Sequence, residues 1–192
     1  MKTSVNDIPD DQILALLKEQ VSYEKGFRLL MQKYQERLYW QVRRMVFEHD
    51  DANDVIQNVF IKVFKSINRF EGKSSLYTWL YRVATNESIT FLNKKKRKTA
   101  ASLDDEEHNL SNQLKADPYF DGDEAQRLLQ QALQQLPDKQ RLVFNMRYYD
   151  ELSYQEISDI LETSVGGLKA SYHHAVKKIE RFFRGAELNQ RG

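Results

Sequence analysis

Apolar residues recur along most of the chain at the three- and four-residue spacing of helices, and no strand-like alternation stands out. Ile13, Leu14, Leu16 and Leu17 follow Pro9-Asp10-Asp11, which predicts a short helix starting at an aspartate cap. A longer helix follows, with Phe27, Leu30, Tyr34, Leu38, Val42 and Met45 at helical spacing and Glu36, Arg43 and Arg44 on another face. His49-Asp50-Asp51 breaks the pattern, and Asp50 or Asp51 can cap the next helix. That helix carries Val55, Val59, Val63 and Ile67 on one row and Ile56, Phe60 and Phe64 on a second. So wide an apolar arc either fills a domain's centre or exposes a stripe to a partner. Phe70 to Ser75 reads as a loop, with Ser74 or Ser75 capping a helix through Leu76, Trp79, Leu80, Val83 and Leu92.

The helical period lapses from Thr99 to Glu124 and resumes at Ala125. Leu128, Leu129, Ala132 and Leu136 lead to Pro137, which is preorganised to open another helix carrying Leu142, Val143, Met146 and Tyr149. Ser153-Tyr154-Gln155-Glu156 has the form of a capping box ahead of Ile157, Ile160 and Leu161. Glu162-Thr163-Ser164 is a tight turn. Val165 starts a final helix, with Leu168, Tyr172, Ala175, Ile179 and Phe182 inward. The expected fold is all-α.

Charge divides the chain. The net charge of +1 conceals −2 over Met1–Gln20, +8 over Val21–Lys98, −7 over Thr99–Glu124 and +2 over Ala125–Gly192. Two cationic modules joined by a flexible, solvated acidic linker account for that order; a charged protein with an acidic loop is the plainer alternative. With 7 Gly and 3 Pro among 192 residues, long helices and short turns are the default. The absence of cysteine excludes disulfides and thiolate metal sites. The polar stretch Met1–Asp11 does not resemble a signal peptide, and no apolar run approaches the ~20 residues of a membrane span. A soluble, intracellular protein is expected.

Two short helices separated by about three residues form the helix-turn-helix pattern, here Tyr154–Leu161 as support and Val165–Phe183 as recognition helix. A helix that enters the major groove needs small residues where it meets the DNA backbone, and Gly166 and Gly167 meet that demand. Lys169, Ala170, His173, His174 and Lys177 would then face outward, the lysines suited to phosphate or guanine and Ala170 to a thymine methyl. An ordinary helical hairpin with a glycine-bearing turn is the alternative. In the first module, Phe70, Tyr77, Trp79 and Tyr81 lie beside Lys73, Arg82, Asn86 and the run Lys94-Lys95-Lys96-Arg97-Lys98. Aromatics among cations suit unpaired bases, or the rings fill a core. The basic run suits phosphate, or it complements a helix dipole. His173 and His174 diverge as neighbours on a helix, and His49 and His108 lack ligand spacing, so no metal site is expected. No clustered carboxylates or activated nucleophile suggest an enzyme, and no cofactor or small-molecule substrate is implied.

The stretches Asp54–Phe64 and Tyr77–Asn86 closely resemble region 2 of the extracytoplasmic-function (ECF) sigma factors of bacterial RNA polymerase. Leu136-Pro137, Arg141–Phe144 and Leu152–Ile157 resemble their region 4. The resemblance implies an N-terminal helix (1–20) packing on region 2 (21–98), a linker (99–124) and a helix-turn-helix region 4 (125–192). It implies core-polymerase contact by Asp54, Gln57, Phe60 and Lys62 with the clamp helices of the largest subunit, and a second contact with the flap of the second-largest. It also implies minus-ten recognition and melting by Phe70, Lys73, Ser74, Tyr77, Trp79, Arg82, Asn86, Lys94, Lys95, Lys96 and Arg97. Within that set, the loop from Phe70 to Ser75 and Asn86 receive a flipped base. Minus-thirty-five recognition falls to Gly166, Gly167, Lys169, Ala170, His173, His174 and Lys177. The linker would thread the RNA exit path. Promoter DNA and an anti-sigma factor are the further partners, with a cytoplasmic location or retention at the inner membrane by that factor. Three positions depart from the family: Asn58 stands where Glu is common, Glu151 where Gly often precedes Leu152, and Gly167 with the two histidines makes an unusual recognition face. A dimeric helix-turn-helix repressor and a nucleic-acid enzyme are the rivals; the first would need a dimer interface and a ligand or receiver module that the sequence does not display.

Overall fold

The structure, a computed structural model, describes residues 4–101 and 124–190. Most of the acidic linker therefore lies outside the described residues. The chain divides into two compact units, one up to Leu92 and one from Asn93. Eight α-helices and two 3-10 turns make up the regular structure among the described residues, and no strand occurs there.

In the first unit, α1 (Asp10–Lys18) packs on α2 (Tyr23–Val46), and α2 on α3 (His49–Ser66). The expected aspartate cap of α1 is not made. Pro9 occupies the cap position, and the Asp10 carboxylate instead accepts from Lys33 Nζ at 2.7 Å and Tyr34 Oη at 2.6 Å. Asp10 thus ties α1 to α2, an ion pair reinforced by a hydroxyl. Likewise Glu48, whose side chain makes no cap hydrogen bond, holds the cap position of α3, and Asp50 and Asp51 sit in its first turn. There they still favour the positive end of the helix dipole.

The row Val55, Val59, Val63 and Ile67 is buried, together with Leu30, Leu38, Val42 and Met45 of α2. Burying each such side chain contributes about 1.5–3 kcal/mol. Helix α4 (Leu76–Ala101) begins where Ser75 Oγ accepts from the Thr78 amide at 3.0 Å, as the loop reading predicted. It turns Leu76, Leu80, Tyr81 and Ala84 inward. A polar link crosses this core: buried Gln41 donates to Tyr81 O at 3.1 Å and to Thr85 Oγ1 at 2.8 Å.

The second unit holds α5 (Glu124–Gln134), α6 (Asp138–Tyr148), α7 (Tyr154–Leu161) and α8 (Val165–Gln190). Pro137 precedes α6 as its cap residue rather than as its first helical residue. Leu133, Val143, Met146, Ile157, Leu168 and Ala175 form a fully buried centre. Arg141 is buried beside them, its Nη2 donating to Asp138 Oδ1 at 3.0 Å, and burial lowers its pKa despite that carboxylate.

Candidate nucleic-acid interface

The support helix α7 is fixed by the capping box read from sequence. Ser153 N donates to Glu156 Oε2 at 2.7 Å and Glu156 N to Ser153 Oγ at 3.2 Å. Those bonds hold the Glu156 carboxyl below the usual carboxylate range. Glu151, in the turn just ahead, adopts φ 54, left-handed backbone that favours glycine. The residue that departs from the family pattern therefore carries the turn at a steric cost. After α7 the chain reverses at Glu162, also left-handed with φ 52 and ψ 38. Ser164 Oγ then accepts from the Gly167 amide at 3.3 Å and Ser164 O from the Leu168 amide at 3.0 Å, which starts α8.

With Leu168 and Ala175 fully buried, α8 presents Gly166, Gly167, Lys169, Ala170, His173, His174 and Lys177 to solvent. All seven expected residues share the exposed side. A Cβ built on Gly166 meets nothing within 4 Å, whereas one on Gly167 comes 3.2 Å from Ser164 Oγ. Lys169 Nζ lies 5.8 Å from the ring centre of Tyr154, so its charge sits where α7 and α8 meet.

In the first unit, the Phe70 ring lies 5.7 Å from that of Trp79, both half-buried, with Asn86 exposed further along α4. Between them the loop turns at Gly72, φ 72, and Lys73 pairs with Glu71. Tyr77 is half-buried and already engaged within the unit. Its ring stacks on Tyr34 at 6.0 Å, is covered by the Arg37 guanidinium at 4.1 Å and meets Tyr81 at 5.7 Å. These contacts engage it in packing, the alternative open at the sequence level. The basic run lies within α4, past Leu92 where the first unit ends, and among its cations only Lys98 falls in the last turn of that helix. Because dipole effects fade within one turn, Lys94, Lys95, Lys96 and Arg97 are not explained by the dipole.

A second surface lies between α2 and α3. Phe27, Met31, Ile56, Phe60, Ile61 and Phe64 line an apolar groove of about 450 Å³, with Gln57 on its rim. Ile61 and Phe64 remain 51% and 47% exposed, so the second apolar row of α3 is only partly covered. Asp54 is exposed as well, and Phe60 forms part of the floor. Lys62 is not idle: its ammonium pairs with Glu87 of α4, a bond that a partner would have to replace. The Met31 and Ile61 contributions were missed from sequence, although Phe27, Met31 and Gln35 at four-residue intervals trace the α2 wall.

An exposed helix-turn-helix face in one unit and an open apolar groove in the other are surfaces that suit a helical DNA-binding protein with a protein partner. Known proteins fit that class. The sequence profile of Sigma-70 region 2 matches residues 30–98, and that of Sigma-70 region 4 matches residues 126–179. The RNA polymerase sigma-H factor of Pseudomonas aeruginosa is 30% identical over 166 residues, spanning 82% of this chain and 86% of its own. The ECF RNA polymerase sigma-E factor of Escherichia coli K12 is 30% identical over 178 residues, spanning 88% and 92%. Among solved structures, the sigma factor RpoE of Bartonella quintana, in complex with the anti-sigma factor NepR, has a TM-score of 0.65 at 19% identity, covering 83% of this chain and 98% of that one. CnrH, in complex with the cytosolic domain of CnrY, has a TM-score of 0.66 at 17% identity, covering 92% and 99%. Both share the fold. The chain belongs to the ECF sigma factors, as an alternative sigma factor that directs transcription initiation.

Proposed function

We propose that the first unit docks core RNA polymerase and traps the parted minus-ten strand, while the second reads minus-thirty-five duplex. The observation that carries this division of labour is the exposed side of α8, where seven small, cationic or imidazole residues gather on one helix face. Such a face suits a major groove. The α2–α3 groove, with Asp54 and Gln57 beside it, meets the clamp helices of the largest polymerase subunit; Lys62 joins them by exchanging Glu87 for the partner. Region 4 contacts the flap of the second-largest subunit. Phe70, Ser74, Trp79, Arg82 and Asn86 hold bases, with Lys73 and the cations Lys94 to Arg97 on phosphate. Tyr77 supports that surface from beneath.

The protein acts by binding, as a subunit without catalysis of its own. No helix among the described residues is long and apolar enough to cross a membrane; in this reading the chain works where RNA polymerase does, in the cytoplasm. An anti-sigma factor that covers the same groove would hold it there, or at the inner membrane. Run-off transcription with purified core polymerase tests the reading: promoter-specific product requires this chain, and a variant with Lys169 and Lys177 both changed to Ala loses it from promoters that depend on a minus-thirty-five element. Unchanged product from that variant would remove α8 from promoter reading.

A further inference from the structure

His173 and His174 stand in the middle of the exposed side of α8. From Val165 to Ile179 that helix carries Lys169, Lys177 and Lys178 and no acid. Lys169 and Lys177 lie four residues to either side of His173, and Lys177 lies three beyond His174, so lysines and imidazoles are surface neighbours. Among the described residues neither imidazole has a hydrogen bond or an ion pair; their rings meet each other, with centres 6.1 Å apart. The acids around them have cations or donors of their own. Glu180, further along α8, follows Lys177 by three residues and precedes Arg184 by four. On α7, Glu156 is held by Ser153, and Asp159 accepts from Gln155 Nε2 at 3.0 Å. The α7 group that reaches α8 is Tyr154, whose ring lies 5.8 Å from Lys169 Nζ and 4.9 Å from the Arg147 guanidinium of α6. On α6, Asp138 pairs with Arg141. Helix α5, which also packs on α8, carries Glu124 and Arg127 in its first turn, and Glu162 sits in the turn that precedes α8.

We infer that His173 and His174 couple promoter capture to protons: they become imidazolium as α8 meets minus-thirty-five duplex, so the second unit binds DNA more tightly as pH falls. Histidine is the side chain whose charge ordinarily changes between about pH 5 and pH 8. A neighbouring cation opposes the added charge, whereas a phosphate favours it. Seating α8 in the major groove exchanges solvent for phosphates, so the complex holds more protons than the separated partners. The sign follows from linkage. Affinity gained by protonation is fully present at low pH and is lost as pH rises through the higher pKa of the complex. The size of the effect follows from the charge of the face. Lys169 and Lys177 are its permanent cations beside His173, and two imidazolium groups would double that charge. Each further phosphate neutralised steepens the logarithmic dependence of affinity on salt by about 0.9. The inference rests on the proposal that α8 reads minus-thirty-five duplex.

The test measures holoenzyme binding to a minus-thirty-five duplex from a promoter that requires this chain, at several salt concentrations between about pH 6 and about pH 8. Wild type is expected to lose about 5- to 50-fold in affinity across that range, approaching tenfold for each imidazole whose pKa the duplex raises by one unit. Its salt dependence should be shallower at the higher pH by about 1–2. The double variant His173→Gln, His174→Gln loses this pH dependence and keeps the shallower slope throughout. The double variant His173→Arg, His174→Arg keeps the steeper slope throughout. Wild-type affinity that is indifferent to pH overturns the inference, as does a pH dependence that the glutamine variant shares, since the proton then goes elsewhere. A holoenzyme with Lys169→Ala and Lys177→Ala keeps the two readings apart. If it loses the duplex while wild type ignores pH, α8 still reads DNA and only the proton linkage falls. If neither the lysine nor the histidine variants change binding, both fall.

Discussion

Two glycines show how one atom can serve opposite ends. A Cβ on Gly26 would lie 2.9 Å from Leu16 Cβ and 3.1 Å from the Leu17 amide nitrogen. Backbone cannot swing aside as a flexible side chain can, so Gly26→Ala pushes α1 off α2. A destabilisation of about 1–3 kcal/mol is expected from such overpacking, read as a lower urea midpoint. Gly166 is the reverse case. It lies within a helix, and its added Cβ would meet nothing within 4 Å. Glycine there costs about 1 kcal/mol against alanine, and no contact inside the chain requires it. In the proposed function its smallness serves an approach from outside, that of DNA backbone to the start of α8. Gly166→Ala should therefore raise unfolding stability by about 1 kcal/mol while weakening binding of the holoenzyme to minus-thirty-five duplex. A stabilised variant with unaltered DNA affinity would take Gly166 out of the interface.

The capping box of α7 is an element-scale device with a pH signature. Its two reciprocal bonds satisfy amides that the helix itself leaves unpaired. Ser153→Ala is expected to cost about 1 kcal/mol. Because the bonds to Ser153 hold the Glu156 pKa below its ordinary value of 4.5, the sign of the pH effect is fixed. The contribution is fully present above the unfolded value and disappears as pH falls through the lower folded one. Glu156→Gln keeps an acceptor but removes the titration, so its melting temperature should fall less than wild type's between about pH 5 and pH 3. Parallel acid profiles would show that Glu156 is not the linked group. This box was legible in the sequence because its partners lie three residues apart, as was the buried α3 row, which repeats every four. What escaped depended on partners distant in the chain. Asp10 looked like a cap but reaches Lys33 and Tyr34, 23 and 24 residues on. Lys62 pairs with Glu87, 25 residues on, a partner no spacing rule names. No spacing rule brings Tyr34 and Arg37 to the Tyr77 ring. Periodicity reports which face of a helix is apolar; it does not report which helix covers that face, nor how closely, and Gly26 marks such a close approach.

At the scale of the whole molecule, charge and connectivity set the order of events. A net charge of +1 gives the free chain little nonspecific hold on DNA, and what hold it has should weaken steeply with salt. The proposed order is therefore core polymerase first, with the two proposed readouts then engaging one promoter together. Joining two weak binding events in one chain raises the local concentration of the second to the millimolar range, and the combined affinity can exceed either alone by about 10²–10⁴. A protease site introduced between Thr99 and Glu124 tests whether the chain gains from that connection. Cleavage leaves both sequence-matched regions, 30–98 and 126–179, intact. Run-off transcription at nanomolar protein should fall by about a hundredfold on cleavage and return as the cleaved halves are raised toward micromolar concentration, because polymerase must then recruit each half separately. Undiminished transcription from the cleaved protein at nanomolar concentration would mean that each half holds polymerase tightly by itself, and that covalent connection contributes nothing to promoter capture.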